Sequence, residues 1–336
     1  VERVLLIRVS ALGDVVLTAP AVRALRVVHP GIRVDLVTDP RYVDLALAHL
    51  GYDRAVPFER RGADAGGAGL ERVVARLPEA RYDAVVDLQG KLRTRALARR
   101  VPADRRLVLQ KRSLGRALLS LVGHDPPLTD RRAAQLYLDA LAPLGLPPDA
   151  PLALGLGGAP PRGTGLRVGL SPSATHATKR WPPARFGALA DALAAAHPGV
   201  ELVLIGGPGD VEVLAAVRAA AQVPFAPEDV TRLSVLELAR VIAGLHLMIS
   251  VDTGPAHLSA GFGVPTVVIF GPTAPERWGP VGPGHQVVRR NLDCMPCSNT
   301  GDATCPRAGR NHACLAELEV APVLAAAEAA LAEARP

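Results

Sequence analysis

Short apolar runs rich in β-branched residues alternate with Ala- and Leu-rich stretches of helical period along this chain, and the alternation occurs twice. In the first half, strands are expected at Val4 to Val9, Arg33 to Val37 and Ala84 to Leu88, with helices near Thr18 to Val28 and Leu92 to Arg99. In the second half, strands are expected at Val168 to Leu170, Glu201 to Ile205, Leu247 to Ser250 and Thr266 to Phe270, and a last amphipathic helix at Val320 to Ala334. Runs apolar throughout and separated by helices are the signature of parallel sheets covered on both faces. Between the halves, LGLPPDAPLALGLGGAPPRGTG, residues 144 to 165, is rich in Pro and Gly and lacks either period. The pattern predicts an α/β chain of two Rossmann-like, doubly wound domains: residues 1 to 150, a linker at 151 to 165, residues 166 to 319, and a C-terminal helix at 320 to 336. Facing one another, two such domains would hold a ligand in a central cleft.

Composition narrows the class. A chain of 336 residues, 49% hydrophobic, can bury a core in each of two domains. The apolar run in VERVLLIRVSALGD is too short for a signal-peptide core or a membrane span, so a soluble cytoplasmic protein is expected. Aromatic residues are only 3%, which argues against a stacking platform for single-stranded nucleic acid. The formal charge is +6, carried almost wholly by arginine, with Lys91, Lys111 and Lys179 the only lysines.

The most informative stretch is DTGPAHLSAGFGVPTVVIFGPT, residues 252 to 273, which opens a helix directly after an apolar strand. Thr253 and Gly254 place backbone N–H groups and the positive end of the helix dipole at a strand end, with His257 about one turn on. That describes an anion site; the alternative is that Asp252 caps the helix and His257 packs on the sheet. LSPSATHATKRWP follows another strand, and its hydroxyls, including Ser173, Thr175 and Thr178, converge with the ammonium of Lys179 in a way that suits a diphosphate. In IGGPGD, Gly206 and Gly207 allow close approach and Asp210 can accept from a ribose hydroxyl, or the loop is an ordinary glycine turn.

The first strand is followed by RVSALGDVVLTAP, with Ser10, Gly13 and Asp14 in the loop. Its single glycine does not make the dinucleotide fingerprint, and a carboxylate there repels phosphate. Asp14 is better suited to taking a proton from a hydroxyl or orienting a sugar, unless it merely caps the helix. Cys294, Cys297, Cys305 and Cys314 lie within 21 residues of one another, so a structural zinc loop and a set of free thiols are both open readings.

These segments together resemble glycosyltransferase family 9, the ADP-heptose:lipopolysaccharide heptosyltransferases, which have the two-domain GT-B fold. The resemblance spans nearly the whole chain and rests on LIRVSALGDVVLTAPAVRALR, YDAVVDLQGKLRTRALA, TKRWP, LIGGPGD, SVDTGPAHLSAGFGVPTVVIFGPT and the cysteine segment, in that order. It implies that Asp14 is the catalytic aspartate, that Lys179 before the Trp-Pro pair binds the donor diphosphate, and that Asp252, Thr253, Gly254 and His257 form the family's D-T-G-x-x-H element. The chain departs from the family at Ala174, where relatives often carry a second hydroxyl beside the one at Thr175. The implied reaction is inverting transfer of L-glycero-D-manno-heptose from ADP-heptose to the inner core of lipopolysaccharide, with no cofactor required. Asp14 would be the general base, Lys179 and the helix start at Thr253 and Gly254 the stabilisers of the departing ADP.

The implied acceptor is anionic and lipid-linked, which gives a reason for Arg93, Arg95, Arg99, Arg100, Arg105, Arg106, Lys111, Arg112 and Arg116. Ser10, Gly13, Lys91 and Arg93 are the expected acceptor contacts, and the basic surface is expected to allow peripheral contact with the inner face of the cytoplasmic membrane. Another GT-B enzyme with a different sugar nucleotide is the nearest competing reading. A basic nucleic-acid-binding protein would leave Asp14 and residues 252 to 257 without a purpose, and a non-catalytic homologue would bind nucleotide without turnover.

Overall fold

The structure, a computed structural model, describes residues 1–109, 131–147, 150–152, 154–158, 162–227, 230–307, 309 and 311–334. They form two compact units. The described residues through Leu109 together with Ala133–Gly158 make the first; Arg131, Arg132 and the described residues from Arg162 onward make the second.

The first unit is built on a parallel five-stranded sheet in the order β3-β2-β1-β4-β5. Its strands are β1 (Arg3–Ile7), β2 (Arg33–Thr38), β3 (Arg54–Pro57), β4 (Tyr82–Asp87) and β5 (Ala103–Val108). Val4, Leu5, Leu6 and Ile7 are fully buried, as the central strand of a sheet covered on both faces requires. From β1 the chain winds outward to β2 and β3, then returns to the other side of β1 as β4. Ile7 pairs with both Val37 and Asp87, so β1 and β4 end level. That reversal opens a crevice at the carboxyl ends of β1 and β4.

The second unit repeats the plan with β6 (Arg167–Ser171), β7 (Glu201–Leu204), β8 (Leu247–Val251), β9 (Thr266–Phe270) and β10 (His285–Arg289), in the order β10-β9-β8-β6-β7. All pairs are parallel, and Ser171 stands opposite Ser250. Here the winding reverses between β6 and β8, so the loops after these strands share one crevice. The last helix, Val320–Glu333, packs on β8, β9, β10 and the helix Pro183–Ala196, all in this unit. Among the described residues no helix is long and apolar enough to cross a membrane.

The strands expected from apolar runs are present, with ends shifted by at most two residues and Thr266–Phe270 unshifted. Three were not foreseen: β3, β5 and β10, all at or near sheet edges, and β5 carries exposed Asp104, Arg105 and Arg106 in mid-strand. Charge on an edge strand discourages pairing with other chains, and the same charge hides the strand from an apolar-run search.

Candidate active site

In the first unit, Asp14 sits in the first turn of the short helix Leu12–Val16, immediately after β1. It is not the N-cap, a position held by Ala11, but the third residue of the helix, and it reaches back so that Ala11 N–H donates to its Oδ2 at 3.2 Å. The carboxylate does more than this. Arg8 Nη2 lies 2.6 Å from Oδ1, and the Tyr137 hydroxyl donates to the same oxygen at 2.9 Å. Burial by itself would push the Asp14 carboxyl up; the Arg8 charge and the donors from Arg8, Tyr137 and Ala11 outweigh it and hold the group below the usual carboxylate range. Arg8, 5% exposed, also donates through Nη1 to Leu88 O at 2.6 Å, just beyond β4, and its guanidinium stacks 5.3 Å from the centre of the Tyr137 ring. Gln89 Oε1 accepts from the N–H groups of Val9 and Ser10, a second tie between the two loops of the crevice. Ser10 Oγ accepts from Arg60 Nη2 at 3.1 Å, and Gly13 is buried within the helix turn.

Lys91 is exposed at the start of the helix Leu92–Arg100, on the loop after β4. That loop is fastened by buried Asp87, which accepts from Gln89 N, Gly90 N and Thr94 Oγ1. Arg93, expected to face an acceptor, is engaged within the protein: it donates to Arg60 O at 2.7 Å and Asp64 O at 2.5 Å and stacks on Phe58. Its place in the structure is to hold the 60 to 64 loop. The wider arginine set divides likewise. Arg100 pairs with Glu71, Arg105 donates to Pro143 O, and Arg106 donates to the carbonyls of Ala98, Val101 and Ala103. Arg95 and Arg99 are exposed, and Lys111, Arg112 and Arg116 lie outside the described residues.

In the second unit, adjacency of β6 and β8 brings Lys179 and Asp252 together. Lys179 Nζ lies 2.8 Å from Asp252 Oδ2, and Thr273 Oγ1 donates to that same oxygen at 2.6 Å. Asp252 is therefore the anchor of Lys179, not a helix cap; Thr253 occupies the cap position of the helix Gly254–Gly261. The Thr253 hydroxyl turns back to the strand, donating to Val251 O at 3.3 Å. Pro255 has no N–H and Ala256 N–H bonds Thr253 O, so the amides this helix start can offer are those of Thr253 and Gly254. His257 is buried, 4% exposed. Ser173 Oγ is buried and has no hydrogen-bond partner among the described residues, whereas Thr175 is exposed. Thr178 is removed from the donor set: its hydroxyl donates to Asp302 O and accepts from Asp302 N, both at 2.8 Å. Asp210 Oδ2 accepts from Gly207 N at 2.7 Å, closing the IGGPGD loop.

The cysteine segment packs behind Lys179. Cys297 and Ser298 N–H groups both donate to Pro272 O, Trp278 Nε1 donates to Asn299 O, and Gly301 lies against the Lys179 stem. Cys314 is buried and the other three cysteines half-buried, all as free thiols. Burial, together with the neighbouring thiols, raises Cys297 and pushes Cys314 up to about 11. Among the described residues no group of three or more side chains is arranged as metal ligands.

Arg8 and Tyr137 are site residues that the sequence did not disclose. Arg8 falls within the strand expected at Val4 to Val9, and Tyr137 lies 123 residues from Asp14 in a helix, Ala133–Leu141, that is not among the expected elements.

Known proteins can be set beside this geometry. Residues 70–306 match the model of glycosyltransferase family 9 (heptosyltransferase). Lipopolysaccharide heptosyltransferase 1 of Pseudomonas aeruginosa is 31% identical over 324 residues, covering 88% of this chain and 86% of the relative. Its Escherichia coli K12 namesake is 27% identical, covering 85% of this chain and 93% of the relative. The family 9 glycosyltransferase structure from Veillonella parvula superposes with a TM-score of 0.79 at 23% identity, covering 99% of this chain and 98% of that one. The E. coli heptosyltransferase WaaC solved with ADP gives 0.68 at 25% identity, covering 86% and 94%. Two parallel-sheet α/β units of this kind agree with the GT-B fold expected from the sequence. The family match and the identity along most of the chain show that this protein belongs to glycosyltransferase family 9 and is a heptosyltransferase-type glycosyltransferase.

Proposed function

We propose that this protein transfers L-glycero-D-manno-heptose from ADP-heptose to a sugar hydroxyl of the lipopolysaccharide inner core, inverting the anomeric centre. The observation that carries the donor side is Lys179 Nζ, fixed by Asp252 at a sheet crevice in the same loop as the buried Ser173 hydroxyl, which has no hydrogen-bond partner among the described residues. An ammonium, a hydroxyl and the Thr253 and Gly254 amides at a helix start are the donor set for a diphosphate. Thr175, exposed on the same loop, adds a second hydroxyl, while Asp210 and His257 shape the pocket around the nucleoside and sugar. The WaaC structures with ADP and with ADP-2-deoxy-2-fluoro heptose support the choice of nucleotide.

In the reaction, Asp14 takes the proton of the acceptor hydroxyl as its oxygen bonds to the anomeric carbon, and the bond from that carbon to the phosphate oxygen breaks. The electron pair leaves with ADP, whose growing charge Lys179 and the helix start stabilise. These groups supply the positive charge the leaving group needs, and no step is assigned to a metal or organic cofactor. Ser10, Gly13 and Lys91 line the acceptor side, with Arg93 as the brace behind it. Exposed Lys91, Arg95 and Arg99 beside Leu92, which is 88% exposed, suit a lipid-linked anionic acceptor and contact with the inner face of the cytoplasmic membrane.

Asp14→Asn is the direct test. It should lower turnover by roughly 10²-fold or more while leaving ADP affinity similar, measured by product mass and by calorimetry. Unchanged turnover removes Asp14 as base, and preference for UDP over ADP removes the heptose donor.

A further inference from the structure

We propose that Arg8 and Tyr137 are positioning residues that fasten Oδ1 of Asp14 and leave Oδ2 as the atom that receives the acceptor proton. The inference rests on the reading of Asp14 as general base and goes further, to which oxygen acts and what holds it.

The two oxygens are treated differently. Oδ1 accepts two side-chain donors, Arg8 Nη2 at 2.6 Å and Tyr137 Oη at 2.9 Å. Oδ2 accepts Ala11 N–H at 3.2 Å, a longer bond from a neutral group. Donors lower the proton affinity of the oxygen they bind, and those on Oδ1 also occupy the space a proton would need. The clamp itself is rigid. Arg8 is gripped at its other end by Leu88 O and lies over the Tyr137 ring, and Tyr137 is 3% exposed on a helix that packs against the helix Ala19–Val28. The carboxylate therefore cannot rotate to exchange its oxygens without breaking both contacts.

The charged and titratable groups around Asp14 come from every element packed there. Arg8 comes from the end of β1, Tyr137 from the helix Ala133–Leu141, and Asp87 from the end of β4. Asp87 acts at one remove, through its attraction for Arg8, and is itself closed off by Gln89 N, Gly90 N and Thr94. Arg60 reaches the same loop through Ser10 Oγ. The balance leaves Asp14 ionised and weakly basic. A weak base suits a step in which cleavage of the bond to phosphate leads and the proton moves late. The acceptor O–H bond then breaks toward Oδ2, its electron pair forms the bond to the anomeric carbon, and the phosphate oxygen keeps the pair of the bond that breaks. Asp14 afterwards returns the proton to solvent, readily because its affinity for it is low.

Tyr137→Phe removes one donor and keeps the ring under Arg8. Two readouts apply: the pH profile of kcat and kcat/KM, and the titration of carbon-13-labelled aspartate carboxyls by NMR, with Asp14→Asn identifying the signal. The variant should bind a proton at Asp14 roughly tenfold more tightly. Its acid limb should move to higher pH in step with the carboxyl signal, with KM for ADP-heptose unchanged. Arg8→Gln, which removes the charge as well as the short contact with Oδ1, should move both further in the same direction. If neither the signal nor the acid limb moves in folded Tyr137→Phe, the clamp is wrong, whatever the rate does. If Asp14→Asn turns over normally, the base reading fails first; an inactive Asp14→Asn with an unmoved Tyr137→Phe leaves that reading standing and sinks only the clamp.

Discussion

Among the described residues Lys179 is the one ammonium in the second unit, and its 2.8 Å contact with Asp252 makes it a fixed charge and not a mobile surface lysine. Lys179→Ala should raise KM for the donor and lower kcat together, by roughly 10² in kcat/KM, because the lost charge acts on bound diphosphate and on the leaving group alike. Asp252→Asn keeps an acceptor for Thr273 but removes the counter-charge, so a smaller loss of about tenfold is expected, chiefly in KM. Steady-state kinetics with calorimetry of ADP binding separate the two; equal losses would mean that Asp252 does more than hold Lys179. The sequence disclosed both residues because each lies just past an apolar strand in a cluster of small polar residues. It did not disclose their contact, which depends on β6 and β8 being neighbours in the sheet although β7 lies between them in the chain. Arg8 and Tyr137 stayed hidden for the opposite reason, since Arg8 falls inside an expected strand and Tyr137 stands in no polar cluster and lies 123 residues from Asp14.

At the scale of elements, the cysteine segment is the wall behind the loop that carries Lys179. Thr178 and Asp302 exchange two hydrogen bonds, and a Cβ added to Gly301 would lie 2.7 Å from Lys179 Cδ and 2.9 Å from His176 Cβ. Gly301→Ala should therefore weaken ADP binding by displacing the lysine stem, in addition to the cost of about 1–2 kcal/mol for a side chain at φ +90°. Gly284→Ala is the control: its φ is +74°, but nothing lies within 4 Å of the new Cβ. It should lose comparable stability in thermal unfolding and no ADP affinity. Equal affinity losses in both variants would mean that the segment acts through stability alone. The sequence presented this segment as four thiols of unsettled purpose; its packing against Lys179 could not be read there, because Gly301 and Lys179 are far apart along the chain and share no period. Central strands were legible for the converse reason, that burial on both faces writes an uninterrupted apolar run, whereas β5 carries Arg105 and Arg106 in mid-strand and reads as solvated charge.

At the scale of the molecule, each unit has its own sheet whose strand order reverses once, and one architectural rule places Asp14 in one unit and the Lys179–Asp252 pair in the other just beyond strands flanking that reversal. The second unit depends on the last helix to close its core. Val323, Ala327 and Ala330 on that helix are fully buried, packed over β8, β9 and β10. Arg185 pairs with Glu319, His197 with Glu328, and Trp181 Nε1 donates to Leu318 O at 2.9 Å. Asp252 directly follows β8 and Trp181 follows Lys179 by two residues, so the helix packs against the elements that carry both partners of the ion pair. Ala327→Glu would place a carboxylate at a fully buried position of a helix packed on the sheet, a cost of several kcal/mol that is a large fraction of a domain's stability. Hydrogen exchange should show lost protection in β8, β9 and β10, and calorimetry should show lost ADP binding although no residue of the crevice has changed. Ala327→Val, of similar polarity and slightly larger volume, should retain ADP binding at a cost of about 1–3 kcal/mol from overpacking. Full ADP affinity in Ala327→Glu would show that the phosphate site is held by its own loops without the helix beneath them.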